Sequence, residues 1–232
     1  MKIFAQISWL YATIIIFTSL LLQVIFYYLL PRPYTRKISS WFMRLSIFYS
    51  TEIIGKEDLD AQMFLFNHQS DLDIGVIETS TRSDISWVAK KSLFSVPLFG
   101  LVLKFNEDIP VERESKTSLI KLLRAAKDRI DKGRVVTMAP EGTRSTKGKM
   151  LPFKSGAKVI ADKLKLKVQP IILMQTAKYY DLKRFYYKPG KVKVIFLDSF
   201  YADKSNKNWL TDLRVQMQGV YDNELANNPS HR

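Results

Sequence analysis

Residues 66–73 read Phe66-Asn67-His68-Gln69-Ser70-Asp71-Leu72-Asp73, which puts a histidine five positions ahead of a carboxylate. A histidine titrates near neutral pH and can take a proton from a hydroxyl. A carboxylate bonded to its other ring nitrogen fixes the tautomer and stabilises the cation formed during transfer. Spacing limits how the two can meet. Five helical steps turn the chain about 140° past a full revolution, so within one helix they face apart. His68 and Asp73 pair only if the first lies in a loop and the second in the opening turn of a helix. A plainer reading stands beside this one, in which Ser70 caps the helix and Asp73 completes a capping-box-like start. The two are compatible, because Ser70 does not need Asp73 to cap. The only other histidine, His231, lies in a polar tail and is a poor catalyst candidate.

A second segment, Ala139-Pro140-Glu141-Gly142-Thr143-Arg144-Ser145, follows an apolar run directly. Gly142 lets backbone approach a ligand closely. Arg144 offers a planar donor fork suited to phosphate oxygens, and Thr143 and Ser145 add hydroxyl donors. Lys147, Lys149 and Lys154 add positive charge beyond it. Taken alone the segment also reads as a surface turn with a solvated basic face.

These residues need a frame, and the chain is long enough for one packed catalytic domain with a small appendage. Short apolar runs alternate with amphipathic stretches from about residue 51. Strands are predicted at 63–66, 85–89, 135–139, 168–174 and 192–197, and helices at 71–79, 116–132, 155–163 and 208–225. The alternation implies an α/β fold with a largely parallel sheet flanked by helices. Sites in such sheets lie at the carboxyl ends of strands, which directs attention to the loops after Phe66 and Ala139.

The amino terminus has a different character. No charged residue occurs between Lys2 and Arg32. The run is long enough to cross a bilayer, and Trp9, Tyr11, Tyr27 and Tyr28 near its ends suit the interfacial belts. A signal peptide would be shorter and end in small residues, not in Leu30-Pro31-Arg32-Pro33. Over residues 36–50, Ile38, Trp41, Phe42, Leu45, Phe48 and Tyr49 recur at helical spacing while Arg36, Lys37, Ser40 and Arg44 take other positions. That pattern reads as a helix lying in the headgroup plane; packing on the core is the alternative. Residues 1–50 are thus expected to form membrane-associated helices and residues 51–232 the catalytic domain. Arg32, Arg36 and Lys37 on the far side of the first helix favour a cytoplasmic catalytic domain, with Lys2 a small counterweight.

Charge narrows the partners. Thirty-six Lys and Arg against 22 Asp and Glu leave a net +14, which suits phosphate, nucleic acid or an anionic bilayer. The basic residues are scattered and no nucleic-acid motif appears, so nucleic acid is not the expected partner. There is no cysteine, which excludes disulfides, thiolate catalysis and cysteine-based metal sites.

Together the two loops, Asn67 to Asp73 and Pro140 to Ser145, resemble the glycerolipid acyltransferase family, most closely its lysophosphatidic acid acyltransferase type. The resemblance covers about residues 60–175. It implies transfer of an acyl group from acyl-CoA or acyl carrier protein to the sn-2 hydroxyl of lysophosphatidic acid, giving phosphatidic acid. It also implies no cofactor, no metal and no covalent acyl-enzyme. His68 would be the general base and Asp73 its orienting partner. Glu141, Gly142, Thr143 and Arg144 would belong to the substrate site, and backbone amides at Gly142 are candidates for stabilising the oxyanion. The segment Val111-Glu112-Arg113 resembles a further family block, which would give Arg113 a phosphate contact; Lys90 and Lys154 would assist. The chain departs from the family pattern at Glu107, Pro110, Ala139 and Lys167. An apolar stretch at residues 94–105 is read either as the wall of an acyl-chain slot or as a plain core helix. A related lyso-lipid or glycerol 3-phosphate as acceptor, and a non-catalytic lipid-binding module, are the alternatives carried forward.

Overall fold

The computed structural model describes residues 2–46, 49–112, 116–145, 148–181 and 186–227. Phe48, Arg113, Lys147 and His231 lie outside the described residues. The chain runs α1 (Lys2–Tyr27), α2 (Arg32–Ser46), β1 (Tyr49–Ile54), β2 (Met63–Phe66), α3 (Leu72–Ser80), β3 (Ile85–Lys90) and α4 (Phe99–Phe105). It continues with β4 (Ile109–Val111), α5 (Lys116–Asp131), β5 (Val135–Met138), α6 (Ser155–Leu164) and β6 (Lys167–Met174). Short β7 (Tyr180–Asp181) and β8 (Tyr186–Tyr187) precede β9 (Gly190–Phe196), β10 (Phe200–Tyr201) and α7 (Trp209–Asn227).

The main sheet is ordered β1-β9-β6-β2-β5-β3-β4, with β10 paired to β6 off that path. Strands β6, β2, β5, β3 and β4 are mutually parallel, whereas β9 runs antiparallel to β6 and carries β1 parallel to itself. Parallel strands covered on both faces read as unbroken apolar runs, which is why β2, β5 and β6 were visible in the sequence. Successive side chains point to opposite faces. Met63, Leu65 and Ile172 accordingly join a core with Leu122, Ile160, Leu213 and Met217 of α5, α6 and α7. Phe64, Phe66 and Ile171 join the other core with Val76 and Ile77 of α3.

Helices α1 and α2 sit outside that second core. Ile7–Tyr27 is long and apolar enough to cross a membrane, by length and composition. One side of α1 packs inward through Ala12, Trp9, Ile15 and Ile16, while Ile7, Leu10, Ile14, Phe17 and Leu21 are exposed at helical spacing. Its carboxyl end stacks Tyr27 on Phe105 of α4 with ring centroids 4.4 Å apart. Within the apolar stretch at residues 94–105 the α-helix spans Phe99–Phe105, and its end packs against α1.

Two expectations for α2 need correction. The helix ends by Ser46, and Tyr49 is not on it but buried in β1. Its polar side is also not a headgroup face. Arg36 is buried and donates to both oxygens of Asp108 at 2.9 and 2.8 Å, to Glu78 Oε1 at 3.1 Å and to the Ile85 carbonyl at 2.8 Å. Lys37 Nζ donates to the Thr81 carbonyl at 2.7 Å. Polar side chains thus dock α2 on the catalytic core, and the apolar stripe of Tyr34, Ile38, Trp41 and Leu45 faces outward. Gly75 of α3 permits the close approach, since a Cβ there would lie 1.9 Å from Met43 Cε.

Candidate active site

The loop after β2 and the first turn of α3 bring His68 and Asp73 together, Nδ1 to Oδ2, at 2.7 Å. The helix begins at Leu72, so His68 lies in the loop and Asp73 in the opening turn. Asp73 is fully buried, and Oδ2 also accepts the N–H groups of Gln69 at 2.7 Å and Ser70 at 3.0 Å. The position before the helix is Asp71, whose side chain makes no capping bond, so the capping box read from the sequence does not form and Asp73 folds back on its own loop from the second helical position. Ser70 Oγ accepts the Leu72 N–H at 3.2 Å. With Nδ1 committed to Asp73, Nε2 is the ring nitrogen left for substrate, and His68 retains 24% of its side-chain exposure. The Phe66 ring stands edge-on to the imidazole at 5.8 Å.

The loop after β5 lies beside it because β5 is hydrogen-bonded to β2. Glu141 joins the two loops: Oε1 accepts the His68 N–H at 2.9 Å and Oε2 accepts the Leu151 N–H at 2.7 Å. Burial pushes its carboxyl above the usual carboxylate range, and the two backbone donors pull against that. Glu141 is only 2% exposed, and its two carboxylate oxygens hold the loops in register. Ser145 N–H closes the same junction on the His68 carbonyl at 2.8 Å.

Gly142 adopts φ +70°, and the Lys154 side chain lies 3.1–3.2 Å from the place a Cβ would occupy. Its N–H donates to the Ala139 carbonyl at 3.1 Å within the turn. Arg144 Nη1 is ion-paired to Asp71, which ties this loop to the first one. Thr143 is exposed at the tip. Lys90 is exposed at the carboxyl end of β3, one strand beyond β5.

One contact escaped the sequence altogether. Thr176 Oγ1 donates to Asp73 Oδ1 from the turn after β6, the other parallel neighbour of β2. The strand-end rule, applied to the predicted strand at 168–174, was the available signal. The cleft of about 380 Å³ lined by Asp60, Arg82, Asp84 and Arg134 lies at the amino ends of β2, β3 and β5, away from His68.

The sequence pattern of the family described as Acyltransferase matches residues 50–174, more than half of the chain, and includes the loops after β2 and β5. The chain belongs to that family. Among relatives, the 1-acyl-sn-glycerol-3-phosphate acyltransferase of Helicobacter pylori (strain J99) is 39% identical over 171 residues, 73% of this acyltransferase and 72% of the relative. That of Escherichia coli (strain K12) is 24% identical over 191 residues, 80% of this chain and 77% of the relative. A chloroplastic enzyme of the same name from Arabidopsis thaliana is 31% identical, but the chain spans only 53% of its length. The fold is that of the 1-acyl-sn-glycerophosphate (LPA) acyltransferase PlsC from Thermotoga maritima, with a TM-score of 0.75 at 22% identity over 97% of this chain and 96% of that one.

Proposed function

We propose that this acyltransferase esterifies the sn-2 hydroxyl of lysophosphatidic acid with a fatty acyl group, giving phosphatidic acid. The observation that carries the reading is the His68–Asp73 pair, on a loop bonded through Glu141 and Ser145 to the one bearing Arg144. The names of the relatives supply the acceptor class. His68 Nε2 takes the proton as the acceptor oxygen attacks the thioester carbonyl carbon. The tetrahedral intermediate collapses with cleavage of the C–S bond, and the imidazolium returns the proton to the departing sulfur. Asp73 holds Nδ1–H and offsets the transient charge. Arg144, through the donors not spent on Asp71, with Lys154, Lys90 and Arg113, supplies the phosphate grip that orients the hydroxyl. The donor thioester, on coenzyme A or on acyl carrier protein, is a co-substrate, and the chemistry uses no resident cofactor.

The test is turnover in liposomes containing lysophosphatidic acid with palmitoyl-CoA, and in parallel with palmitoyl-acyl carrier protein, scored by thiol release and product identity. Phosphatidic acid is the expected product. Thiol release only with glycerol 3-phosphate or another lyso-lipid would replace the acceptor, and none with either donor across that panel would remove the enzyme reading.

The exposed stripes of α1 and α2 support a bilayer as the site's setting. Residues 1–50 form the anchor in this reading, α2 lies flat at the headgroup level, and the catalytic domain faces the cytoplasm, where acyl thioesters are made. Trp41 is then at shallow depth. Lipid brominated near the carbonyl group is expected to quench the wild-type fluorescence more than that of Trp41→Phe; equal quenching would take α2 out of the interface.

A further inference from the structure

The buried carboxylate of Asp73 is held from two sides. Oδ2 receives His68, Gln69 and Ser70, all from its own loop. On Oδ1 the donor is the Thr176 hydroxyl, from a strand end 103 residues further along the chain. We propose that Thr176 is a positioning residue of the acyl-transfer site, its hydroxyl locking the rotation of the Asp73 carboxylate so that Oδ2 stays aimed at His68 Nδ1. The proposal rests on the reading of His68 as base.

Several features show that the Thr176 position is built. Gln175, the residue after β6, lies in the left-handed region at φ 52°, ψ 33°, and the chain turns at once through Thr176–Lys178. For a residue other than glycine that conformation is uncommon and costs energy. The turn is then tied back to the histidine loop. Thr176 N–H donates to Gln69 Oε1 at 3.1 Å, and Ser70 Oγ donates to the Tyr180 carbonyl at 2.5 Å. Asn67 and Leu173 exchange two bonds, Nδ2 to the carbonyl at 2.9 Å and N–H to Oδ1 at 2.7 Å. Gln69 Nε2 donates in turn to the hydroxyl of Tyr221 on α7 at 3.0 Å. Thr176 and Tyr221 both lie beyond residue 174, where the family pattern ends. The segment after β6 and the last helix are therefore part of the machinery that orients the base.

The hydroxyl has a specific electrostatic reason to be there. Thr176 and Asp73 are both fully buried, so water does not stand in for a missing donor. A carboxylate oxygen left without a donor in such a place is strongly disfavoured, and the group relaxes by twisting. A twist about the bond to the carboxylate carbon moves Oδ2 off the line to Nδ1, which loosens both tautomer and ring orientation. Thr176 is fully buried, so the loss of its hydroxyl is expected to fall on the chemical step and not on binding.

The experiment compares wild type, His68→Ala, Thr176→Val and Thr176→Ser in the liposome assay, with kcat and KM measured for both substrates. Valine keeps the shape without the donor; serine keeps the donor without the methyl group. Thr176→Val is expected to lower kcat about 10–100-fold with both KM values within about twofold, and Thr176→Ser to stay within about threefold of wild type. A packing role predicts the reverse order, with serine more damaging than valine, and that result overturns the proposal. So does full activity in Thr176→Val while His68→Ala is inactive. Wild-type turnover in His68→Ala would instead remove the reading of the base, and Thr176 falls with it. If Thr176→Val does not fold, Thr176→Ala takes its place: serine active and alanine impaired supports the hydroxyl, and equal rates overturn it.

Discussion

His68→Ala is expected to lower kcat by about 10²–10⁴-fold while the KM for the lyso-acceptor stays within about threefold. The imidazole is the proton acceptor in the attacking step, and general-base assistance contributes over that range. The acceptor phosphate is assigned to Arg144 and the lysines, so ground-state binding survives. Asp73→Asn is expected to fall in the same direction, because an amide at that place accepts from the Gln69 and Ser70 N–H groups but cannot stabilise the imidazolium. Groups that act as one unit are not additive. The double variant is therefore expected to be no slower than His68→Ala alone. Steady-state kinetics with purified proteins decide the matter. A tenfold rise in KM at unchanged kcat would make His68 a binding residue, and multiplicative losses would separate it from Asp73.

What was legible in the chain follows from what local sequence can encode. The pairing of His68 with Asp73 was readable because a five-residue separation has few geometric solutions, and a helix starting at Leu72 is one of them. The apolar runs of β2, β5 and β6 announced a parallel sheet because both of their faces are covered. Strand β1 was hidden because its pattern of burial is mixed and its first residues continue the helical spacing of α2. Strand β4 has three residues, too few for any period to show. Glu141 was singled out only through the family resemblance, because the two backbone donors that face its oxygens come together only in the folded loops. Thr176 carried no local sign at all, since its partner is set by which strand lies beside β2.

Arg36 is the sharpest case of that limit, and its replacement is expected to have the largest effect on stability. Its spacing put it with the polar residues of an interfacial helix, whereas the guanidinium is buried between Glu78 and Asp108, which expose 2% and 1% of their side chains. Taking the cation away leaves two carboxylates in the core without their counter-charge. Breaking a buried ion pair from one side costs about 3–5 kcal/mol, and at this chain length that is roughly 6–20 °C in the unfolding midpoint. Arg36→Met is expected to show this loss in a thermal melt, and Arg44→Met on the same helix to change it little. Adding Glu78→Gln and Asp108→Asn to Arg36→Met is expected to recover part of the loss, because neutral groups remove the unpaired charge. The consequence reaches the site. Asp108 Oδ1 accepts the Trp87 N–H at 2.9 Å and Glu78 Oε1 accepts the Trp87 indole N–H at 2.7 Å. Trp87 in turn packs edge-on to Phe66 at 5.5 Å, and Phe66 borders His68. The helix that presents Trp41 outward thus also fixes the wall behind the base, so Arg36→Met is expected to lower kcat even below its melting range. A melt within 1 °C of wild type would show that α2 is held by its apolar contacts, and full kcat at low temperature would separate the anchor helix from the site.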